Sequence, residues 1–380
     1  RKSRQDSRSD GCSGGQKSGE TSRRGKRMMR TSPHLIKPTP LQVVMFKVAV
    51  ALLPGIAAYA WVFGAGILLQ ILLATVTAIA TEAACLKLRN YPIKPFITDG
   101  SAIVTAWLLA LSLPPLSSWW MVVLATVIAI GLAKHLYGGL GQNPFNPAMV
   151  GFAVMMVSFP AQMSRWNAPL SLPTVDLTTW QQFGYILSGH LPQGLSFDTL
   201  ASATPLDSVK TALLQQHSMS DIFSGAIFQS ADWLSFLPSS VALIAVGYLL
   251  GGLYLLQQRI IAWPLPVAFL TVLLGMSGLF HLINPAQYTS PAFHLLSGAA
   301  VLGAFFIVTD PVTAPTTLRG RLIYAALIGL LTWLIRTFGG YPDGVAFAVL
   351  IMNIAAPFID QYTQPAVFGR KPQRGVKHGH

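Results

Sequence analysis

The chain is 380 residues long, 52% hydrophobic and only 10% charged, with a formal net charge of +13. Soluble domains carry about 25% charged residues, so this composition excludes a soluble globular protein and points to an integral membrane one. The positive charge does not indicate nucleic-acid binding, because it is spread over tails and short loops and builds no continuous basic surface.

Residues 1–40 form a basic, Ser- and Gly-rich tail without apolar periodicity, which reads as disordered. The chain begins at Arg1, and Met28 or Met29 reads as the start, making residues 1–27 an extension. The first apolar run begins near Leu41 and is too long for the core of a cleavable signal peptide. From there, ten segments approach the roughly 17–25 apolar residues that cross a bilayer. They are 41–63, 66–86, 100–116, 119–137, 146–163, 238–257, 263–283, 294–310, 321–338 and 344–361. Five lie in a first unit, 41–163, and five in a second, 238–361. A loop, 164–237, separates the units, and a basic tail, 362–380, follows them.

Orientation follows from the basic residues. With the N-terminus in the cytoplasm, Lys87, Arg89, Lys94, Lys134, Arg259, Arg319, Arg321 and the C-terminal tail all fall inside. The loop 164–237 sets Arg165 and Lys210 against five aspartates and falls outside. The expectation is an all-α membrane protein with about ten transmembrane helices and both termini cytoplasmic.

The two units resemble each other. Ser101-Ala102 with Pro114-Pro115 recurs as Ser297-Gly298 with Pro311 and Pro315, and Gly138-Gly139 recurs as Gly339-Gly340. An odd number of spans per unit makes this an inverted five-plus-five repeat, with a site expected between the halves near mid-membrane. The competing explanation is the ordinary abundance of Gly and Pro in membrane helices.

Few residues can carry chemistry. Cys12 and Cys85 are too few for an iron–sulfur cluster, and the eight histidines show neither metal-ligand spacing nor a Ser–His–Asp signature. The glycines of Gly138–Pro147 lack the end of a phosphate-binding loop. They read as a tight turn in which Asn143 and Asn146 satisfy backbone groups. Thr309-Asp310-Pro311 ends the eighth span, where freed carbonyls and Asp310 face a cation or cofactor or simply form a polar helix end. Glu82, near Lys87, reads first as a group at the membrane edge and second as an ion relay. Lys47 reads as snorkelling to the surface. In the loop, Thr204 is a hydroxyl in a small-residue stretch held extended by Pro205, which suits a modified acceptor or an ordinary turn.

Five stretches carry a family resemblance: Leu136–Ala148, Ser202–Asp207, His294–Ala299, Thr309–Thr313 and Gly339–Val349. Through them the chain, from about residue 30 to 368, resembles the D subunits of Rnf electron-transport complexes. It is similar, more distantly, to the B subunits of sodium-translocating NADH:quinone reductases. The resemblance implies a subunit of a redox-driven ion pump in the bacterial inner membrane, with loop 164–237 periplasmic. Such a pump couples transfer between NADH and ferredoxin to Na+ or H+ movement. It further implies that a flavin transferase esterifies FMN through its phosphate to Thr204. In the family pattern Asp198 and Ala203 fit, whereas Ala201 stands where Ser or Thr is usual and Ser202 where Gly is usual.

Other subunits carrying flavins and iron–sulfur clusters are implied as partners within membrane lipid, since this chain has no dinucleotide fingerprint and is not catalytically complete alone. The quinone-reductase likeness leaves room for a second, non-covalent flavin. Glu82, Asn143, Asn146 and Asp310 are the candidates for ion or flavin contacts. Two readings compete with the redox subunit: an inverted-repeat solute channel or transporter, and a structural anchor. Neither has any use for a flavin on Thr204.

Overall fold

A computed structural model describes residues 40–171, 177–228, 240–341 and 343–365. The expectations for the N-terminal tail, including Cys12 and the start at Met28 or Met29, lie outside these residues. So do those for Asp176, Asp232 and the basic C-terminal tail.

Among the described residues every regular element is a helix, and the extended segments pair only at the isolated bridge Asn167–Ala201. The first half comprises α1 (Leu41–Phe63), α2 (Gly66–Leu88), the short α3 (Ile93–Ile97), α4 (Ser101–Ala110), α5 (Trp119–Val127), α6 (Pro147–Ser158) and α7 (Pro160–Met163). A π-helical stretch, Ile128–His135, continues α5. The loop carries α8 (Thr179–Ser188), α9 (Phe197–Leu200), α10 (Pro205–Leu214) and α11 (Met219–Phe223). The second half comprises α12 (Ala242–Gln257), α13 (Pro264–Ile283), α14 (Pro291–Leu296), α15 (Ala300–Leu302), α16 (Leu318–Phe338) and α17 (Val345–Thr363). A second π-helical stretch, Gly303–Ile307, follows α15.

Five helices, α1, α2, α13, α16 and α17, are long and apolar enough to cross a membrane. The other five expected spans are helical but shorter or broken. Two breaks matter for function. After α4, Leu111 leaves the helix ahead of Pro114 and Pro115. Between α14 and α15 the chain opens at Ser297-Gly298, where Gly298 has φ +64°. Leu68, Leu72 and Val76 of α2 are exposed, the pattern of a helix facing lipid rather than water.

The helix contacts of the two halves correspond in order. In the first half α2 packs on α5 and the π stretch, which pack on α6; in the second α13 packs on α16, which packs on α17. Across the halves, first span meets first span (α1 with α12) and fifth meets fifth (α6 with α17). The α1–α12 crossing depends on small residues. A Cβ on Gly251 would lie 1.8 Å from the Ala51 carbonyl oxygen, and one on Gly247 2.7 Å from that of Pro54. Helices this close gain van der Waals contact that larger side chains would prevent.

Two expectations are overturned. Lys134, assigned to a cytoplasmic loop, lies inside the π stretch and is 2% exposed. Glu82, placed at the membrane edge beside Lys87, is equally buried, and its carboxylate meets Lys134 Nζ at 2.5 Å. Each supplies the counter-charge without which the other could not be buried. Lys47 does stay at the surface, where its ammonium donates to Gln258 Oε1 at 2.8 Å.

Candidate functional site

The loop is built to hold Ser202–Thr204 extended against the ends of the helices. Residues 166–168 run antiparallel to 200–202: Ala168 N donates to Leu200 O (2.8 Å) and Ser202 N to Trp166 O (2.9 Å). The same strip is tied to the end of α1 by Leu170 N on Val62 O (2.8 Å) and Asn167 Nδ2 on Phe63 O (3.3 Å). Pro205 then opens α10 at its first position, and Thr204 is the N-cap, its Oγ1 accepting from Asp207 N at 3.3 Å.

Two contacts seat α10. Leu206 and Val209 pack into a cluster with Phe293 of α14. Lys210 donates to the carbonyls of Tyr341 (2.9 Å) and Gly339, tying α10 to the turn after α16. Burial lowers the pKa of this ammonium from the usual lysine value, with Asp207 opposing the shift. In the sequence Lys210 counted only as a loop charge.

Thr204 lines a cavity of about 390 Å³ between the halves. Its wall draws on Phe63 of α1, Met149 of α6, Tyr248 of α12 and Leu302 of α15, and both breaks reach it, through Leu111 and Gly298. Cavities of about 300–1,000 Å³ with apolar walls and a few polar groups are typical small-molecule sites. The N-terminus of α10 starts at the same wall, and a helix N-terminus favours a phosphate. The residues therefore fit a phosphorylated aromatic cofactor attached at Thr204. Ser202 and Ala203 line the cavity beside it, whereas Asp198, on α9, is exposed and does not.

A charged latch closes one side. Arg336, its side chain fully buried near the end of α16, donates to the carbonyls of His294 (2.7 Å) and Ser297 (3.2 Å), freed where α14 ends. It also pairs with Asp343 at 3.1 Å. Asp343 in turn accepts from Ala299 N (2.7 Å) and Val345 N (3.2 Å). Burial would raise the Asp343 pKa; the guanidinium and the two amides outweigh it and hold it below the usual carboxylate range. Gly298 sits inside this knot. A Cβ there would lie 2.4 Å from Asp343 Oδ2 and 2.6 Å from Leu206 Cδ1, at a φ that already disfavours any side chain.

The four remaining candidates are not gathered at Thr204. Asn146 Nδ2 reaches Asp310 Oδ2 across the halves at 3.5 Å, and Thr313 Oγ1 donates to the same oxygen at 3.3 Å. Asn146 also caps α6, and Asn143 Nδ2 donates to Phe145 O, so both do satisfy backbone groups. The glycines of that turn take positive φ at Gly138, Gly139 and Gly141. Glu82 belongs to a separate chain of contacts. Lys134 bridges it to Ser101 Oγ (2.8 Å), which donates to Asp99 (2.6 Å), while His135 Nε2 lies 3.4 Å from the Glu82 carboxylate. Among the described residues, no group of three or more His, Cys, Asp or Glu side chains is placed to hold a metal.

Sequence reasoning missed Lys134, Arg336 and Asp343 as functional groups. The signal was present for Lys134 and Arg336, which fall inside the expected spans 119–137 and 321–338, where an ionisable residue needs a partner. Asp343 falls between the expected spans 321–338 and 344–361, and nothing in the sequence joined it to Ala299.

The sequence profile of the NQR2, RnfD, RnfE family matches residues 28–369. The chain is 47% identical over 354 residues to the D subunit of the ion-translocating oxidoreductase complex of Salmonella paratyphi B, covering 90% of this chain and 98% of that protein. It is equally identical over 349 residues to the protein of the same name in Pectobacterium carotovorum, with the same coverage.

Proposed function

Because the chain belongs to the NQR2, RnfD, RnfE family, we propose that it is the flavin-carrying membrane subunit of an ion-translocating oxidoreductase complex. FMN is joined by a phosphoester to Thr204. The observation that carries this reading is the placement of Thr204: a half-buried hydroxyl at the first turn of α10, lining a cavity shared by the two halves. The phosphate would lie at the N-terminus of α10, and the apolar wall would exclude water from the ring. A bound flavin supplies reversible one- and two-electron chemistry; the protein orients it and sets its potential. The exposed Asp198 is accessible to a flavin transferase during maturation.

In this reading the loop faces the periplasm and both termini the cytoplasm of a bacterial inner membrane. Electrons pass between partner subunits by way of Thr204, and their transfer between NADH and ferredoxin is coupled to Na+ or H+ movement. The solute-transporter reading keeps one observation in its favour, the paired discontinuous spans.

One experiment separates the two. The protein is co-expressed with a flavin transferase, denatured in a detergent gel and viewed for flavin fluorescence, with Thr204→Val alongside. Fluorescence in the parent band and none in the variant is expected. A dark parent band beside a bright flavinylated control would overturn the redox reading and favour the transporter.

A further inference from the structure

The helix α8 is the part of the loop that the cofactor reading leaves unused. Its ten residues include no charged side chain, although it lies outside the membrane-spanning helices. Three stripes run along it. Gln182 and Ile186 are buried against the protein. Gln181 and Ser188 are exposed and polar. Trp180, Phe183 and Leu187 form an apolar stripe at i, i+3 and i+7, with Trp180 81% and Leu187 53% exposed. Such side chains facing water would forgo their burial energy, so an occupant is required.

The contacts of α8 say what that occupant is. Gln182 Oε1 accepts from Gly66 N at 2.8 Å, at the first residue of α2. Ile186 belongs to a cluster against which Leu69 and Leu73 of α2 pack, so α8 lies alongside the first two turns of that helix. Leu68, Leu72 and Val76 on the same stretch of α2 are exposed and face lipid. The apolar stripe of α8 therefore continues a lipid-facing surface at its water boundary, the depth at which tryptophan is enriched. An uncharged helix, apolar on one stripe and polar on the next, is suited to lying in that boundary.

We propose that α8 is an interfacial helix that rests in the headgroup region of the leaflet on the Thr204 side, with Trp180, Phe183 and Leu187 dipping into the acyl boundary. The partner is the lipid surface itself. The consequence reaches Thr204 through α9, because Tyr185 stacks on Phe197 at 5.7 Å and Arg165 lies over the same ring. Anchored in this way, the strip 200–204 is held at the membrane surface at both ends, by α1 through Asn167 and by the bilayer through α8. The inference rests on membrane insertion of the chain and not on the flavin.

The test uses the complete complex reconstituted in phospholipid vesicles, on a Cys12→Ser, Cys85→Ala background. Nitroxide labels are placed singly by Trp180→Cys, Leu187→Cys and, as the water-facing reference, Ser188→Cys. Collisions with dissolved oxygen and with a water-soluble nickel chelate are compared by electron paramagnetic resonance. Labels at 180 and 187 should favour oxygen over nickel several-fold, with the reverse at 188. Nickel access at 180 equal to that at 188 would show a helix in water and overturn the proposal. Exclusion of both agents at 180 and 187 would overturn it as well, by showing that another protein covers the stripe. The flavin gel experiment is unaffected by any of these outcomes, so the two readings fail separately.

Discussion

Among the described residues, each half buries a Lys or Arg near the end of its fourth span and directs it at the serine that begins or interrupts its third. In the first half Lys134 meets Ser101 Oγ and Glu82; in the second Arg336 meets Ser297 O and Asp343. The chemistry differs because the third spans differ. Ser101 starts an intact helix, and Asp99 accepts from its amide at 2.7 Å, so the cation there needs only to satisfy a carboxylate and a hydroxyl. At Ser297 the helix is broken and two carbonyls are loose, and only the fork of a guanidinium reaches both and an acid together. The same position thus became an ammonium–carboxylate pair in one half and a guanidinium latch beside the Thr204 cavity in the other.

The largest effect is expected from Asp343→Ala, which leaves the fully buried guanidinium without its counter-charge and Ala299 N without its acceptor. Loss of an ion-pair partner of this kind costs about 3–5 kcal/mol, measurable as a lowered unfolding midpoint in detergent. Glu82→Gln should cost less, because an ammonium deprived of its partner can shed its proton and a guanidinium cannot. The double variant Glu82→Gln/Lys134→Met should recover most of the loss. Equal losses at the two ends, or no recovery in the double variant, would remove the distinction drawn between them.

Acidification sharpens the contrast. The Asp343 pKa is lowered in the folded protein, so its stabilisation is complete above the ordinary carboxylate pKa and is lost only as pH falls through the lowered value. Hydrogen exchange at Ala299 and Val345 should therefore stay slow at pH 5. In Asp343→Asn it should be fast at neutral pH as well; fast exchange at pH 5 in the parent would contradict the latch. The smallest effect belongs to Asn146→Ala. Loss of the α6 cap costs about 1 kcal/mol, read as a small shift in the unfolding midpoint without change at the Thr204 cavity.

What the sequence determined by itself is what depends on local composition. Apolar runs marked where helix forms in each of the ten expected segments, five of them long enough to cross a membrane, and the expected 41–63 coincides with α1. Gly138-Gly139 marked a turn that needs positive φ, and the small residues before Pro205 marked an extended strip with an available hydroxyl. What only the tertiary structure decided is which charges meet. Glu82 and Lys134 are 52 residues apart, and the Asp343 carboxylate accepts from an amide 44 residues away, at Ala299. Hydropathy scores a buried lysine and a loop lysine alike. Whether Lys134 is one or the other depends on a carboxylate from α2 being within 2.5 Å, and that depends on how the helices pack.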